Sequence, residues 1–194
     1  MTLASADAST SLRQRIVNEA VTLTTEAGWG AVTMSHLAEV VGVSRQTIYN
    51  EVGTKPALAE AMIHSELTRF LAVVEEAFDA HPGDVGDAIE TAVRGVLELA
   101  EGNTLLHAIV SATHGADTEL LPLLTTQADE LIAAASFVMG HRLAGYPLSC
   151  PPHEQAAAID VIVRVVLSHV MQPGAAPEIT GAGVGAMARR MLGC

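Results

Sequence analysis

Between Ser44 and Val52 the chain carries a run of polar groups of the kind that meet nucleic acid: Arg45, Gln46, Thr47, Tyr49 and Asn50. Arginine presents paired donors that fit guanine, glutamine and asparagine fit adenine, and a threonine methyl packs on that of thymine. Ile48 and Val52 interrupt the run four residues apart. A helix over Arg45–Val52 therefore buries those two and leaves the polar groups outside. Ser44 precedes it as an N-cap, its hydroxyl accepting from a backbone N–H that the helix leaves unpaired.

A helix of this kind needs a second one to hold it. Ala38, Gly42 and Ile48 stand at the spacing Ala-x3-Gly-x5-Ile. The alanine lets two helices cross closely, the glycine ends the first in a conformation other residues resist, and the isoleucine pins the second onto it. Thr33 N-caps the first helix and Leu37, Ala38 and Val41 form its inner face. Thr33 to Lys55 thus reads as a helix-turn-helix followed at once by another helix, the unit that lays its second helix in the major groove of DNA.

Around this unit the periodicity is helical throughout. Leu12, Ile16, Ala20, Leu23 and Ala27 form a first stripe that Gly28 stops, and Trp29 reads as a core plug beneath the helix-turn-helix. A long helix from Lys55 to about Ala80 follows, broken by His81-Pro82-Gly83. Further helices are predicted over Val85–Glu101, from an Asn103 cap to Thr113, over Thr118–Leu143 after a His114-Gly115 break, over His153–Met171 and over Ile179–Leu192. The fold class is all-α with about nine helices. Residues 1–54 form the helix-turn-helix head, with a disordered arm over 1–9, and residues 55–194 a helical body.

Composition limits the function. Apolar residues make up 49% of the 194, while aromatics are only 3%, so the core is built from aliphatic side chains. Net charge is −12; residues 1–66 hold four basic groups (Arg13, Arg15, Arg45, Lys55) against seven acidic ones. A DNA-binding head is expected to carry a basic patch, so here Arg45 and Lys55 must supply a local positive edge. Cys150 and Cys194 make neither a disulfide framework nor a metal set. The eight histidines lack ligand spacing with carboxylates or thiols, so no metal and no cofactor is expected. Ser168-His169 point about 100° apart on a helix and do not make a nucleophile and base. Gly181-x-Gly-x-Gly185 lacks the strand that a dinucleotide loop needs; small residues there allow close packing, a dimer seam being one place for it. No catalytic constellation stands out, and no enzyme is expected. Residues 1–11 do not read as a secretory leader and no apolar run is long enough to span a membrane, so a soluble cytoplasmic protein is expected.

The first 65 residues resemble the TetR family of bacterial transcriptional regulators. The resemblance rests on Glu26-Ala27-Gly28-Trp29, Val32-Thr33, Leu37-Ala38 through Gly42-Val43-Ser44, Thr47-Ile48-Tyr49-Asn50 and Gly53-Thr54-Lys55-Pro56-Ala57-Leu58. It implies a homodimer with a three-helix DNA-binding head and a ligand-binding body. It also implies that Thr33, Tyr49 and Lys55 hold phosphates while Arg45, Gln46, Thr47 and Asn50 line the groove. Glu51 departs from the family's usual neutral or basic group; a carboxylate there repels phosphate, or accepts from a cytosine amino group. The fragment Arg164–His169 with Pro173 looks like a helix found in actinobacterial members linked to lipid or alkane metabolism.

The reading is then a dimeric, ligand-responsive repressor of a pseudo-palindromic operator, with His153–Met171 and Ile179–Leu192 at the dimer interface and no membrane partner. Phe70, Val74, Phe78, Val93, Leu97, Leu105, Ile109, Phe137 and Met139 offer an apolar lining for a small apolar effector, with His107 and His169 as buried polar groups that orient it. The alternative is a helical ligand-binding or protein-interaction module whose head is vestigial, which the acidic sum keeps open.

Overall fold

The structure is a computed structural model that describes residues 11–112, 119–125 and 128–193. The order is α1 (Leu12–Ala27), a 3-10 turn (Trp29–Ala31), α2 (Met34–Val41), α3 (Arg45–Val52), α4 (Lys55–Ala80) and α5 (Val85–Glu101). Then come α6 (Thr104–Ser111), α7 (Leu121–Leu124), α8 (Asp129–Leu143), α9 (Pro152–Met171) and α10 (Pro177–Leu192). The all-α class read from periodicity is what the described residues adopt. The single helix predicted over Thr118–Leu143 is instead two, α7 and α8. Thr125 and Thr126 fall between them in sequence, and β-branched hydroxyl residues are poor helix formers. The arm over 1–9, the helix ends at Thr113 and Thr118, the His114-Gly115 break and Cys194 lie outside the described residues.

The chain forms two compact units. The first comprises the chain through Glu66 together with residues 104–123, so the boundary expected at residue 54 falls inside it. Its centre is α1 packed on α2, α3, the 3-10 turn and α6. Ile16, Ala20, Leu37, Ile48, Leu58 and Met62 are fully buried there.

The second unit holds residues 67–103 and 124–194. Its core joins Phe78, Ile89, Val93, Leu97, Met139, Leu143, Ile162, Val184 and Leu192. Arg142 ties α8 to α4 through Asp79 (2.6 Å) and Glu75 (3.7 Å). Tyr146 packs edge-on against Phe78, its hydroxyl donating to the His81 carbonyl at 2.7 Å.

The seam between α5 and α10 explains the glycines of the last helix. A Cβ on Gly181 would lie 2.9 Å from the Glu90 carbonyl oxygen, and one on Gly185 would lie 2.8 Å from the Glu90 Cβ and 3.1 Å from the Gly86 oxygen. Both glycines are buried against α5 of the same chain, so the close packing that small residues allow is met there; Gly183 faces open space. Arg189 closes the far end of the seam with ion pairs to Asp84, Asp87 and Glu90. Asp84 caps α5, and the Asp87 backbone N–H, followed by the Arg189 guanidinium, holds its carboxyl below the usual carboxylate value.

The glycines of α10 should therefore part company on mutation. Gly185→Ala is expected to lower stability by about 1–3 kcal/mol, because its contacts are backbone and a Cβ rather than a flexible tip. Gly183→Ala is expected to raise it by about 0.5–1 kcal/mol through helix propensity. Thermal unfolding of the two variants beside the parent reads both.

Candidate nucleic-acid interface

The connection between α2 and α3 is built from local chemistry. Thr33 Oγ1 accepts from the His36 N–H at 3.1 Å and starts α2. At its other end Gly42 adopts a left-handed conformation with φ of 77°. This lets the Gly42 N–H reach Glu39 O at 3.3 Å and the Val43 N–H reach Ala38 O at 2.9 Å, the paired bonds of a Schellman ending. Ser44 begins α3 immediately, accepting from the Thr47 N–H at 3.0 Å. Ile48 and Val52 are buried on one side of α3.

The opposite side presents the groups singled out in the sequence. Arg45, Gln46 and Asn50 are exposed, as are Ser44 and Thr33. Tyr49 is 42% exposed, high for an aromatic ring. Gln46 Nε2 donates to Asn50 Oδ1 at 3.0 Å, which aligns two amides along one edge of the helix. Thr47 is half-buried and shares a 2.8 Å hydroxyl bond with Ser44. Arg45 carries no ion pair among the described residues.

The other basic groups of the head are engaged. Arg13 donates to the backbone oxygen of Glu51, near the end of α3. Arg15 donates to the Val41 oxygen at 3.3 Å, at the end of α2. Each guanidinium thus meets the negative, carbonyl-bearing end of a helix, where a cation is stabilising. Lys55 is half-buried; its Nζ donates to the Trp29 oxygen at 2.9 Å and lies 4.5 Å from the indole centroid. Trp29 is buried, as a core plug should be, and its Nε1–H donates to Glu119 at 3.0 Å. Charge counting had no means of telling these tethered cations from free ones. Glu119 was not a sequence candidate, being 90 residues from the indole it meets.

The apolar set named for an effector is divided between the two units. Phe78, Val93, Leu97 and Met139 belong to the core of the second unit, with Val74 packed against it. Phe70 and His169 are half-buried, and His169 Nδ1 donates to the Val165 carbonyl of its own helix at 2.9 Å. Leu105 and Ile109 are buried in the first unit, on α6. Two candidates are corrected outright: Phe137 is 76% exposed and His107 is exposed. Each stands two residues from a buried neighbour, Met139 and Leu105, and two residues turn a helix by about 200°. Among the described residues no group of three or more His, Cys, Asp and Glu is placed to hold a metal ion.

Comparison with known proteins agrees with this arrangement. Residues 16–62 match the family described as bacterial regulatory proteins, tetR family, and residues 84–190 match the bacterial tetracyclin repressor C-terminal domain. The chain is 27% identical over 162 residues to the HTH-type transcriptional regulator AlkX of Mycobacterium tuberculosis, covering 84% of this chain and 76% of that protein. The crystal structure of the TetR family repressor AlkX from Dietzia sp. strain DQ12-45-1b, implicated in biodegradation of n-alkanes, superposes with a TM-score of 0.76 and 26% identity, covering 92% of this chain and 96% of that one. The repressor QsdR of R. erythropolis shares the fold at a TM-score of 0.61 and 18% identity, covering 94% of each chain.

Because Arg13 closes an exposed helix end, Arg13→Met should lower stability by about 0.5–1.5 kcal/mol, the net worth of one such hydrogen bond. Urea unfolding measures it; an unchanged midpoint removes the tether from the account.

Proposed function

Because the chain belongs to the TetR family of bacterial transcriptional regulators, it is a DNA-binding helix-turn-helix regulator, and we propose that it is a repressor released from its operator by a small apolar effector. The observation that carries the proposal is α3: capped by Ser44, pinned by Ile48 and Val52, and presenting Arg45, Gln46, Tyr49 and Asn50 to solvent. In this reading Arg45, Gln46, Thr47 and Asn50 face base edges, while Thr33, Ser44, Tyr49 and Lys55 meet phosphates.

Two such heads, one from each copy of a homodimer, would enter successive major grooves about 34–36 Å apart. Helices α9 and α10 would supply most of the dimer contact, and Val161 and Ile179 stand 41% and 68% exposed on them in the single chain. The effector follows from the relatives: a repressor implicated in n-alkane degradation suggests an alkane or a lipid product of its oxidation. Its binding and DNA binding would oppose each other by roughly 1–3 kcal/mol, the usual size of such coupling. The protein would act in the cytoplasm, where the DNA is.

The second reading, a ligand-binding module with a vestigial head, draws on the net negative charge of residues 1–66. Gel-shift of DNA from upstream of the chain's own gene separates the two, and loss of the shift on adding an alkane or fatty acid tests the effector.

Within a shifted complex, Arg45→Ala is expected to weaken binding by about 1–3 kcal/mol per head, the worth of one bidentate base contact. Dimer assembly in sedimentation should be unaffected; unchanged affinity would take Arg45 out of the site. Glu51→Gln discriminates the two roles of that carboxylate. A uniform gain across operator variants marks plain phosphate repulsion. Loss of preference at one base pair marks base readout.

A further inference from the structure

We propose that Glu119 is a positioning residue for Lys55, acting through Trp29, so that a residue far outside the helix-turn-helix sets the head's grip on the DNA backbone. The inference rests on the reading of Lys55 as a phosphate contact.

Lysine carries its charge on a flexible stem, and holding it in one place costs rotamer entropy. Two attractions hold it here: the hydrogen bond to the Trp29 oxygen at 2.9 Å and the face of the indole, 4.5 Å from Nζ. An ammonium has three donors, so after the carbonyl bond two remain for phosphate oxygens. The platform is only as fixed as the ring. Trp29 is 2% exposed, and its one polar hydrogen needs a partner at that depth. Glu119 Oε2 supplies it at 3.0 Å. A carboxylate on the indole N–H also pushes electron density toward the ring face, which strengthens the pull on a cation above it. Glu119, Trp29 and Lys55 lie in the same compact unit. Glu119 also sits next to Leu120, which is 1% exposed and leads into α7. A shift of Glu119 and Leu120 would therefore reach Lys55 without passing through α2 or α3.

The test uses the full-length protein and a fluorescein-labelled duplex selected by that protein from a random pool, with affinity measured over a range of KCl. Lys55→Met should lower affinity and reduce the slope of log K against log salt by about 0.9 per head, one phosphate contact each. Glu119→Leu should move the slope the same way, with affinity down roughly three- to tenfold, the size expected from a partly exposed cation–π contact. Glu119→Gln, whose amide oxygen still accepts from the indole, should keep the parent's salt slope and lose only the part of the affinity that the carboxylate's charge adds. Trp29 is the chain's one tryptophan, so its emission reports the broken link directly and should shift in Glu119→Leu without DNA. In the double variant the two losses should not add.

A Glu119→Leu protein with the parent's salt slope overturns the proposal, whatever its affinity, because a merely structural role lowers stability and leaves phosphate contacts alone. If Lys55→Met alters the slope and Glu119→Leu does not, only the positioning role falls. If Lys55→Met leaves the slope untouched, the phosphate reading of Lys55 falls and the inference with it. Should Glu119→Leu not fold, Trp29→Phe keeps a ring and the backbone carbonyl but removes the N–H, and should lower the slope in the same way.

Discussion

A chain that leaves one helix and enters the next after only three residues must satisfy the last carbonyls of the first and the first N–H groups of the second at once. Gly42, Val43 and Ser44 do this in the head. The left-handed Gly42 turns Gly42 and Val43 N–H back onto α2, and the Ser44 hydroxyl takes the Thr47 N–H of α3. An L side chain at Gly42 would be strained by its φ alone, with no neighbour to blame. The angle between α2 and α3, and so which face of α3 looks outward, depends on this turn. Burial of Ile48 and Val52 then removes the remaining freedom to rotate.

The same economy governs charge. A head that is net negative and binds a polyanion has to place its few cations well. The structure divides them: Arg13 and Arg15 close the carbonyl ends of α3 and α2, and Lys55 rests on Trp29, while Arg45 stands exposed on the outer side of α3. Two of the four thus work on the geometry of the interface. Charges bound to helix ends hold those helices in place.

In the second unit, close approach takes over from hydrogen bonding as the organising force. Gly181 and Gly185 bring α10 almost backbone to backbone with α5, and Arg189 with three carboxylates marks the register at one end. Removing side chains at two positions permits more dispersion contact around them, which is how a core with few aromatics reaches adequate packing. It also leaves the outer faces of α9 and α10 for other uses.

Much of this was legible from sequence alone, because it is local. Caps, glycine stops and the i, i+4 burial of Ile48 and Val52 act within a few residues, so Thr33, Gly42, Ser44 and the bounds of α2, α3, α4 and α5 could be read directly. The all-α class follows from the same short-range periodicity, and the family from motifs in the head. What tertiary structure alone decided is long-range. Neighbours on a helix face look alike in sequence whether they turn inward or outward, so Phe137 and His107 read as lining residues in the sequence and are exposed in the fold. A small-residue stripe does not name its partner, so Gly181 and Gly185 found α5 of their own chain. A cation does not declare its carbonyl, nor an indole its carboxylate: Arg13 with Glu51, Lys55 with Trp29, and Trp29 with Glu119 each join segments with no shared pattern. Local chemistry carries its own punctuation along the chain, whereas a contact between distant segments exists only once the fold has brought them together.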